Sequence, residues 1–210
     1  MADYSDHEQA EKLSAWWRQY GPSAVAGVAI GLVLLFGYRY WTQYQEQHRV
    51  DASALYEQML AARAQKPVEA VGIANKLMGD YSATPYAGMA ALTLARQQYE
   101  AGDRAAARTA LSWAVANAKG ATMHAARLRL ARLHLEAGEL DAVQTLVEIK
   151  NMGGFEPEYY ELRGDLLLAR GRRVEARDAY REAVRRTPAD SGYLRLLTMK
   201  LDDLGSEESL

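Results

Sequence analysis

The chain has no cysteine, and its formal net charge is only −2 over 210 residues. Without cysteine there is neither a disulfide framework nor a thiolate metal site. That absence suits the cytosol and an oxidising compartment equally well. Twenty-five Lys and Arg against 27 Asp and Glu leave no basic surplus of the kind that draws a domain onto nucleic acid, so no nucleic-acid partner is expected. The four histidines (His7, His48, His124 and His134) are scattered, with no HExxH and no other ligand spacing. His134 sits among leucines and reads as a packed side chain rather than a ligand. No glycine-rich loop is built to cradle phosphate, and Gly153-Gly154 ahead of Phe155 and Pro157 reads as a turn. No nucleophile stands beside a base. A non-enzyme is therefore expected, with no catalytic residue, cofactor, metal or small-molecule substrate. Wholesale disorder is also excluded, because 49% of the residues are hydrophobic.

What the chain does have is a long stretch without charge. Twenty residues, Gln19 to Tyr38, separate Arg18 from Arg39. As a helix they would be about 30 Å long, the thickness of a bilayer's hydrocarbon core. Val25, Val28, Ile30, Leu32, Val33, Leu34, Leu35 and Phe36 together favour insertion by about 2.5 to 5 kcal/mol. Aromatic residues mark both rims: Trp16, Trp17 and Tyr20 before, then Tyr38, Tyr40, Trp41 and Tyr44 after. Such rings prefer the headgroup layer. A buried core helix needs neither these belts nor the bracketing arginines, so the segment is read as spanning a lipid bilayer. Bulky residues follow it, Tyr38-Arg39-Tyr40-Trp41-Thr42, where a signal-peptide cleavage site would need small ones. Orientation stays open at this level. Lys12 and Arg18 precede the span, Arg39 and Arg49 follow it, and the positive-inside count ties. Ser23, Gly27 and Gly31 recur every four residues, which places them on one helix face where a second helix could approach closely.

From Asp51 onward the composition changes. Ala and Leu dominate, strand-like alternation is missing, and apolar residues recur at three and four, as in Leu128, Leu130, Ala131, Leu133 and Leu135. Three short turns repeat: Ala101-Gly102-Asp103, Ala137-Gly138-Glu139 and Arg170-Gly171-Arg172. Their glycines lie 36 and then 33 residues apart, close to the period of about 34 that marks a tetratricopeptide repeat. The last unit carries Gly164, Gly171, Ala176, Tyr180, Ala183 and Pro188 at the pattern's small, turn, aromatic and proline positions. Gly164 and Ala176 are expected to let the two helices touch at the backbone. An earlier, degenerate pair covers about 52–65 and 67–79. A capping helix is expected over 191–204, with Tyr193, Leu194, Leu197 and Leu201 on one face, because a solenoid must shield its last apolar surface. The fold class is thus all-α: one N-terminal transmembrane helix, then a tetratricopeptide-like solenoid with a C-terminal cap. The domains expected are a short tail over 1–18, the span and its aromatic flank over 19–44, the repeats over 51–204, and a frayed tail over 205–210.

In a repeat of this kind the first helices line a concave groove. The groove-facing candidates are Tyr56, Leu92, Arg96, Tyr99, Leu128, Arg129, Arg132 and Leu135. Residues 96–132 hold seven Lys and Arg against Glu100 and Asp103, a local +5 in a nearly neutral region. Arginine and tyrosine beside leucine suit a peptide-binding surface, since Arg pairs with carboxylates and Tyr offers area with a polar tip. The alternative is that some of these charges only solubilise a convex face. The series Arg173, Arg177, Arg181 and Arg185, interleaved with Glu175, Asp178 and Glu182, reads as a solvated face laced with ion pairs.

The ordered combination resembles a known family. An acidic amphipathic start with Trp16-Trp17, then Gly27–Gly31, then Gly37-Tyr38-Arg39-Tyr40-Trp41, then degenerate repeats is similar to the YfgM family of ancillary SecYEG translocon subunits. Leu128-Arg129-Leu130-Ala131-Arg132, Leu162-Arg163-Gly164-Asp165 and Met199-Lys200-Leu201 add to the likeness. The resemblance implies a bacterial inner-membrane protein with a cytoplasmic N-terminus, one span and a periplasmic repeat domain. It implies the SecYEG translocon, a PpiD-like periplasmic chaperone and translocating polypeptides as partners, with emerging chains passed on to chaperones. It carries no catalytic residues. The alternative role is a membrane-anchored scaffold or assembly factor for another cell-envelope complex.

Overall fold

The computed structural model describes residues 3–205, and among them it contains nine helices and no strand. Contacts divide the chain into two compact units, residues 1–50 and 51–210. The tail expected over 205–210 falls, beyond Gly205, outside the described residues.

The first unit is helical along its described length and forms most of α1, Asp3–Ala62. Its described apolar side chains are largely exposed. Val25, Ile30, Leu32, Val33, Leu34, Leu35 and Phe36 are 49% to 71% exposed. A core helix of a soluble protein would bury them; an exposed apolar surface of this length fits a membrane-facing one. By length and composition the helix could cross a bilayer.

The second unit takes the last turns of α1 and then eight helices: α2 (Pro67–Asp80), α3 (Pro85–Glu100), α4 (Arg104–Asn117), α5 (Gly120–Glu136), α6 (Leu140–Val147), α7 (Glu156–Ala169), α8 (Arg173–Arg186) and α9 (Gly192–Asp202). Helices α3 with α4, α5 with α6, and α7 with α8 pack as pairs, while α3, α5 and α7 also touch in succession. This is the stacked helix-pair architecture that the repeat spacing predicts. Proline pre-sets the first turn of α2 and α3, where its missing N–H costs nothing. Each repeat turn is built identically. Gly102, Gly138 and Gly171 have φ of 84°, 72° and 74°. In each turn the glycine N–H donates three residues back and the next N–H donates five residues back, at 2.9 to 3.0 Å. Two carbonyls at the helix end are thereby satisfied, and only glycine reaches that backbone region without strain. The first pair turns differently, through Gln65 and Lys66 onto the Ala62 carbonyl.

Alanine makes the helices cross closely. Ala87, Ala90, Ala91, Ala107, Ala110, Ala114 and Ala126 are buried, around larger anchors at Met59, Leu77, Tyr159, Leu162, Tyr180 and Leu197. One expectation is corrected here. Gly164 does not bring two backbones together; the space beside it is filled by the Tyr180 ring, which a Cβ at Gly164 would overlap. The histidine reading is corrected as well. His134 is partly exposed and bonds the Glu139 carboxylate at 2.5 Å, whereas the buried histidine is His124. Its Nδ1 lies 3.0 Å from the Tyr159 hydroxyl and its ring stacks on Phe155. Gly153, in a left-handed turn, leaves room for the imidazole. Burial, and then the charge of Arg127, lower the proton affinity of His124 against the opposing pull of Glu156. Burial pushes the Tyr159 hydroxyl up to about 12. The cap forms as expected: α9 is held at its start by Ser191 accepting from the Tyr193 N–H, with Leu197 buried.

Two measurements check this packing. Gly164→Ala should lower unfolding free energy by about 1–3 kcal/mol in urea titration, against the gain of up to about 1 kcal/mol that Ala gives an ordinary helix position; a stabilised variant would contradict the contact. His124 disfavours the proton in the fold, so its contribution is complete above its ordinary value of 6.5 and declines as pH falls through that value. The native chain should therefore lose more stability between pH 7.5 and 5.5 than His124→Gln does, and equal slopes would contradict the buried neutral imidazole.

Candidate protein-binding cleft

Helices α3 and α5 face each other along a cleft of about 310 Å³. On α3 the positions Leu92, Ala95, Arg96 and Tyr99 share one face, and on α5 so do Arg129, Arg132, Leu133 and Glu136. Ala95, Leu133 and, from α4, Leu111 are buried and form an apolar floor. Arginines stand at the rim. Arg96 donates to Glu100 at 2.7 Å and keeps 66% of its side chain exposed. Arg132 donates to Glu161 at 3.0 Å with 43% exposed. Arg129 is exposed and, among the described residues, has no ion pair or hydrogen bond. At one end Tyr99 donates to Glu136 at 3.2 Å, and Arg104 lies both over the Tyr99 ring and 3.6 Å from Glu136.

Five of the eight sequence candidates thus meet in one place: Leu92, Arg96, Tyr99, Arg129 and Arg132. Three do not. Tyr56 lies further along the stack, half-buried beside the Tyr86 ring, with its hydroxyl 3.3 Å from that of Thr93. Leu135 is half-buried against the core around α6 and α7. Leu128 is a correction: at 3% exposure it belongs to that same core, with Ala131, Val143 and Leu162, and it faces no groove. The +5 of residues 96–132 does not survive in space either. Glu136, Glu139 and Glu161 fold back onto Arg104, Arg108 and Arg132 from outside that stretch. The face of α8 carries ion pairs between Arg181 and Asp178 and from Arg185 and Arg186 to Glu182. In the first unit, Ser23, Gly27 and Gly31 are exposed, and a Cβ at either glycine would meet nothing within 4 Å.

One wall of the cleft is held by a network that the sequence did not announce. Glu161 of α7 is 4% exposed, yet it is a carboxylate. Lys200 of α9 donates to it at 2.8 Å, Tyr193 at 2.6 Å and Arg132 at 3.0 Å. Lys200 also donates to Asp165 at 2.7 Å, and the Tyr180 hydroxyl to Asp165 at 2.6 Å. Two carboxylates and two cations balance. Burial alone would push the Glu161 carboxyl up; the bonds from Lys200 and Tyr193 and the charge of Arg132 outweigh it and hold it below the usual range. Burial likewise works against the Lys200 charge, and Asp165 and Glu161 overcome it. The network ties the cap to α7 and fixes the Arg132 side chain at the cleft. Among the described residues no cluster of three His, Asp or Glu could hold a metal. The geometry offers an apolar trough with a cationic rim, suited to contact with a polypeptide.

A family model described as a tetratricopeptide repeat-like domain matches residues 14–206. The chain is 28% identical over 204 residues to the ancillary SecYEG translocon subunit of Escherichia coli (strain K12), covering 95% of this chain and 97% of that one. The protein of the same name from Haemophilus influenzae is 28% identical over 184 residues, 86% of this chain and 90% of its own length. That of Neisseria gonorrhoeae is 25% identical over 206 residues, 97% and 99%. The resemblance drawn from the tryptophan pair, the glycines and the repeats is thereby shown. No solved structure matches the chain.

Replacing Lys200 by methionine leaves the Glu161 and Asp165 carboxylates with one cation, Arg132, between them. Unfolding free energy should fall by about 2–4 kcal/mol in urea titration, as for other buried ion pairs that lose one partner. A change of less than about 0.5 kcal/mol would show that the network does not hold the cap.

Proposed function

We propose that this chain, which belongs to the tetratricopeptide repeat-like domain family, is a non-catalytic, membrane-anchored interaction subunit of the SecYEG translocon. The single observation that carries this reading is the likeness, over nearly the whole chain, to proteins that bear that name. The anchor is the apolar helix over 19–44, with the N-terminus cytoplasmic and the repeats, 51–204, in the periplasm of a bacterial inner membrane. The repeats bind translocating polypeptides and a PpiD-like periplasmic chaperone. The exposed face of Ser23, Gly27 and Gly31 receives a partner helix, as small residues allow in lipid.

The mechanism needs no tight binding. A tether confines the repeat unit near the translocation exit and raises its effective concentration there, so weak contacts in the trough are occupied often. Apolar area on the floor supplies non-directional attraction, and the rim arginines add charge-assisted hydrogen bonds to passing carboxylates. Rapid release follows from the same weakness.

Purification of the full chain in mild detergent tests the assignment. Translocon subunits and a periplasmic chaperone should co-purify. Recovery of a different envelope complex, with no translocon subunit, would overturn it in favour of a scaffold for that complex. Exchanging the span for an unrelated apolar helix should release the translocon if the Ser23–Gly27–Gly31 face makes the decisive contact; retention would assign the contact to the repeats.

A further inference from the structure

We infer that the trough between α3 and α5 selects polypeptide segments in which a carboxylate side chain lies next to an aliphatic one, and that Arg129 is the residue that makes the selection. This deepens the protein-binding reading above and rests on it.

Most of the charges around the trough are already engaged. Arg96 donates to Glu100, and Glu100 also receives Arg63, so that pair is closed within the stack. The hydrogen bond from Arg96, more than burial opposes it, holds the Glu100 carboxyl below its ordinary value. Arg132 is bound to the buried Glu161, whose charge it shares with Lys200. Glu136 is engaged by Tyr99 and Arg104, so it is a neutralised end wall rather than a free anion. Arg129 is the cation at the rim that the described residues leave without a carboxylate. It sits on the same α5 face as Arg132, one turn away, and its own fork of donors is unfilled.

Directly beneath lies apolar surface, Ala95 and Leu133, with Leu92 at its edge. A cleft of about 310 Å³ is at the small end of ligand sites, which run to about 1,000 Å³. It holds one or two aliphatic side chains from a passing segment rather than a whole small molecule. An occupant that places a leucine on this floor brings its neighbouring side chain to the rim. A carboxylate there completes Arg129, a neutral group leaves the guanidinium as it was, and an ammonium is repelled. Charge complementarity therefore picks an acidic–aliphatic polypeptide segment as the partner.

Three fluorescent peptides, added to the full-length chain in detergent micelles, test the inference. One has alternating Glu and Leu, one has every Glu replaced by Lys, and one has every Leu replaced by Ser. The Glu–Leu peptide should bind at least tenfold more tightly than either of the others, more weakly as salt is raised. Arg129→Glu should abolish that preference with unchanged circular dichroism, since Arg129 is exposed and makes no hydrogen bond or ion pair among the described residues, and Arg129→Lys should keep part of it. Equal binding of the Glu and Lys peptides, or an unchanged preference in Arg129→Glu, would overturn the inference. So would loss of self-association as the only effect of Arg129→Glu, which would make the occupant a second copy. Co-purification of translocon subunits is scored in parallel: subunits recovered without peptide preference would sink the selectivity alone, while failure to recover them would sink the broader reading.

Discussion

A helix pair of this type has two apolar sides and can bury only one of them by itself. Everything in the second unit follows from that constraint. Each first helix covers its predecessor, α3 to α5 to α7, and the stack must then stop without leaving a greasy end. The stop is α9. Its hold is partly apolar, through Leu197 and Leu204, and partly ionic, through Lys200 on Glu161 and Asp165. A carboxylate as buried as Glu161 is tolerable only because three donors, Lys200, Tyr193 and Arg132, converge on it. Removing Lys200 leaves two interior carboxylates to the single cation Arg132.

The same circuit reaches the trough. Arg132 belongs to the network and to the rim of the trough at once, so the cap that ends the solenoid also fixes the rim cation. Further along, Glu136 is engaged by Tyr99 and Arg104. Structural pairing thus consumes most of the arginines that the sequence displays, and what it leaves over at the trough is Arg129.

The elements of the fold were legible because backbone chemistry is local. Gly102, Gly138 and Gly171 announce left-handed helix ends, and the segment from residue 67 announces a helix that Pro67 starts, each within a few residues of its effect. Five trough residues were legible for a related reason: the repeat dictates which helical face looks inward. Leu128 was misplaced because it is one residue, or about 100° of rotation, from Arg129, and α5 must bury that arc against α6 and α7. Partners distant in sequence hid the rest. Glu161 looks like any exposed helix glutamate until Arg132 and Lys200, 29 and 39 residues away, are brought to it. His124 and His134 sit on one helix, and only Tyr159, Phe155 and the space at Gly153 decide which of them is buried. The Leu162–Asp165 and Met199–Leu201 motifs did signal family likeness; the structure shows that they meet as Asp165 and Lys200.

The central claim is that the membrane-anchored chain grips polypeptides through the α3–α5 trough. A photoreactive side chain placed at Leu92 in the full chain, in intact cells, tests this directly, with exposed Val174 on α8 as the comparison site. The account predicts membrane-bound adducts at Leu92 that contain a translocon subunit, an emerging chain or a chaperone, and few or none at Val174. Adducts absent at Leu92, or the same at both positions, would contradict it.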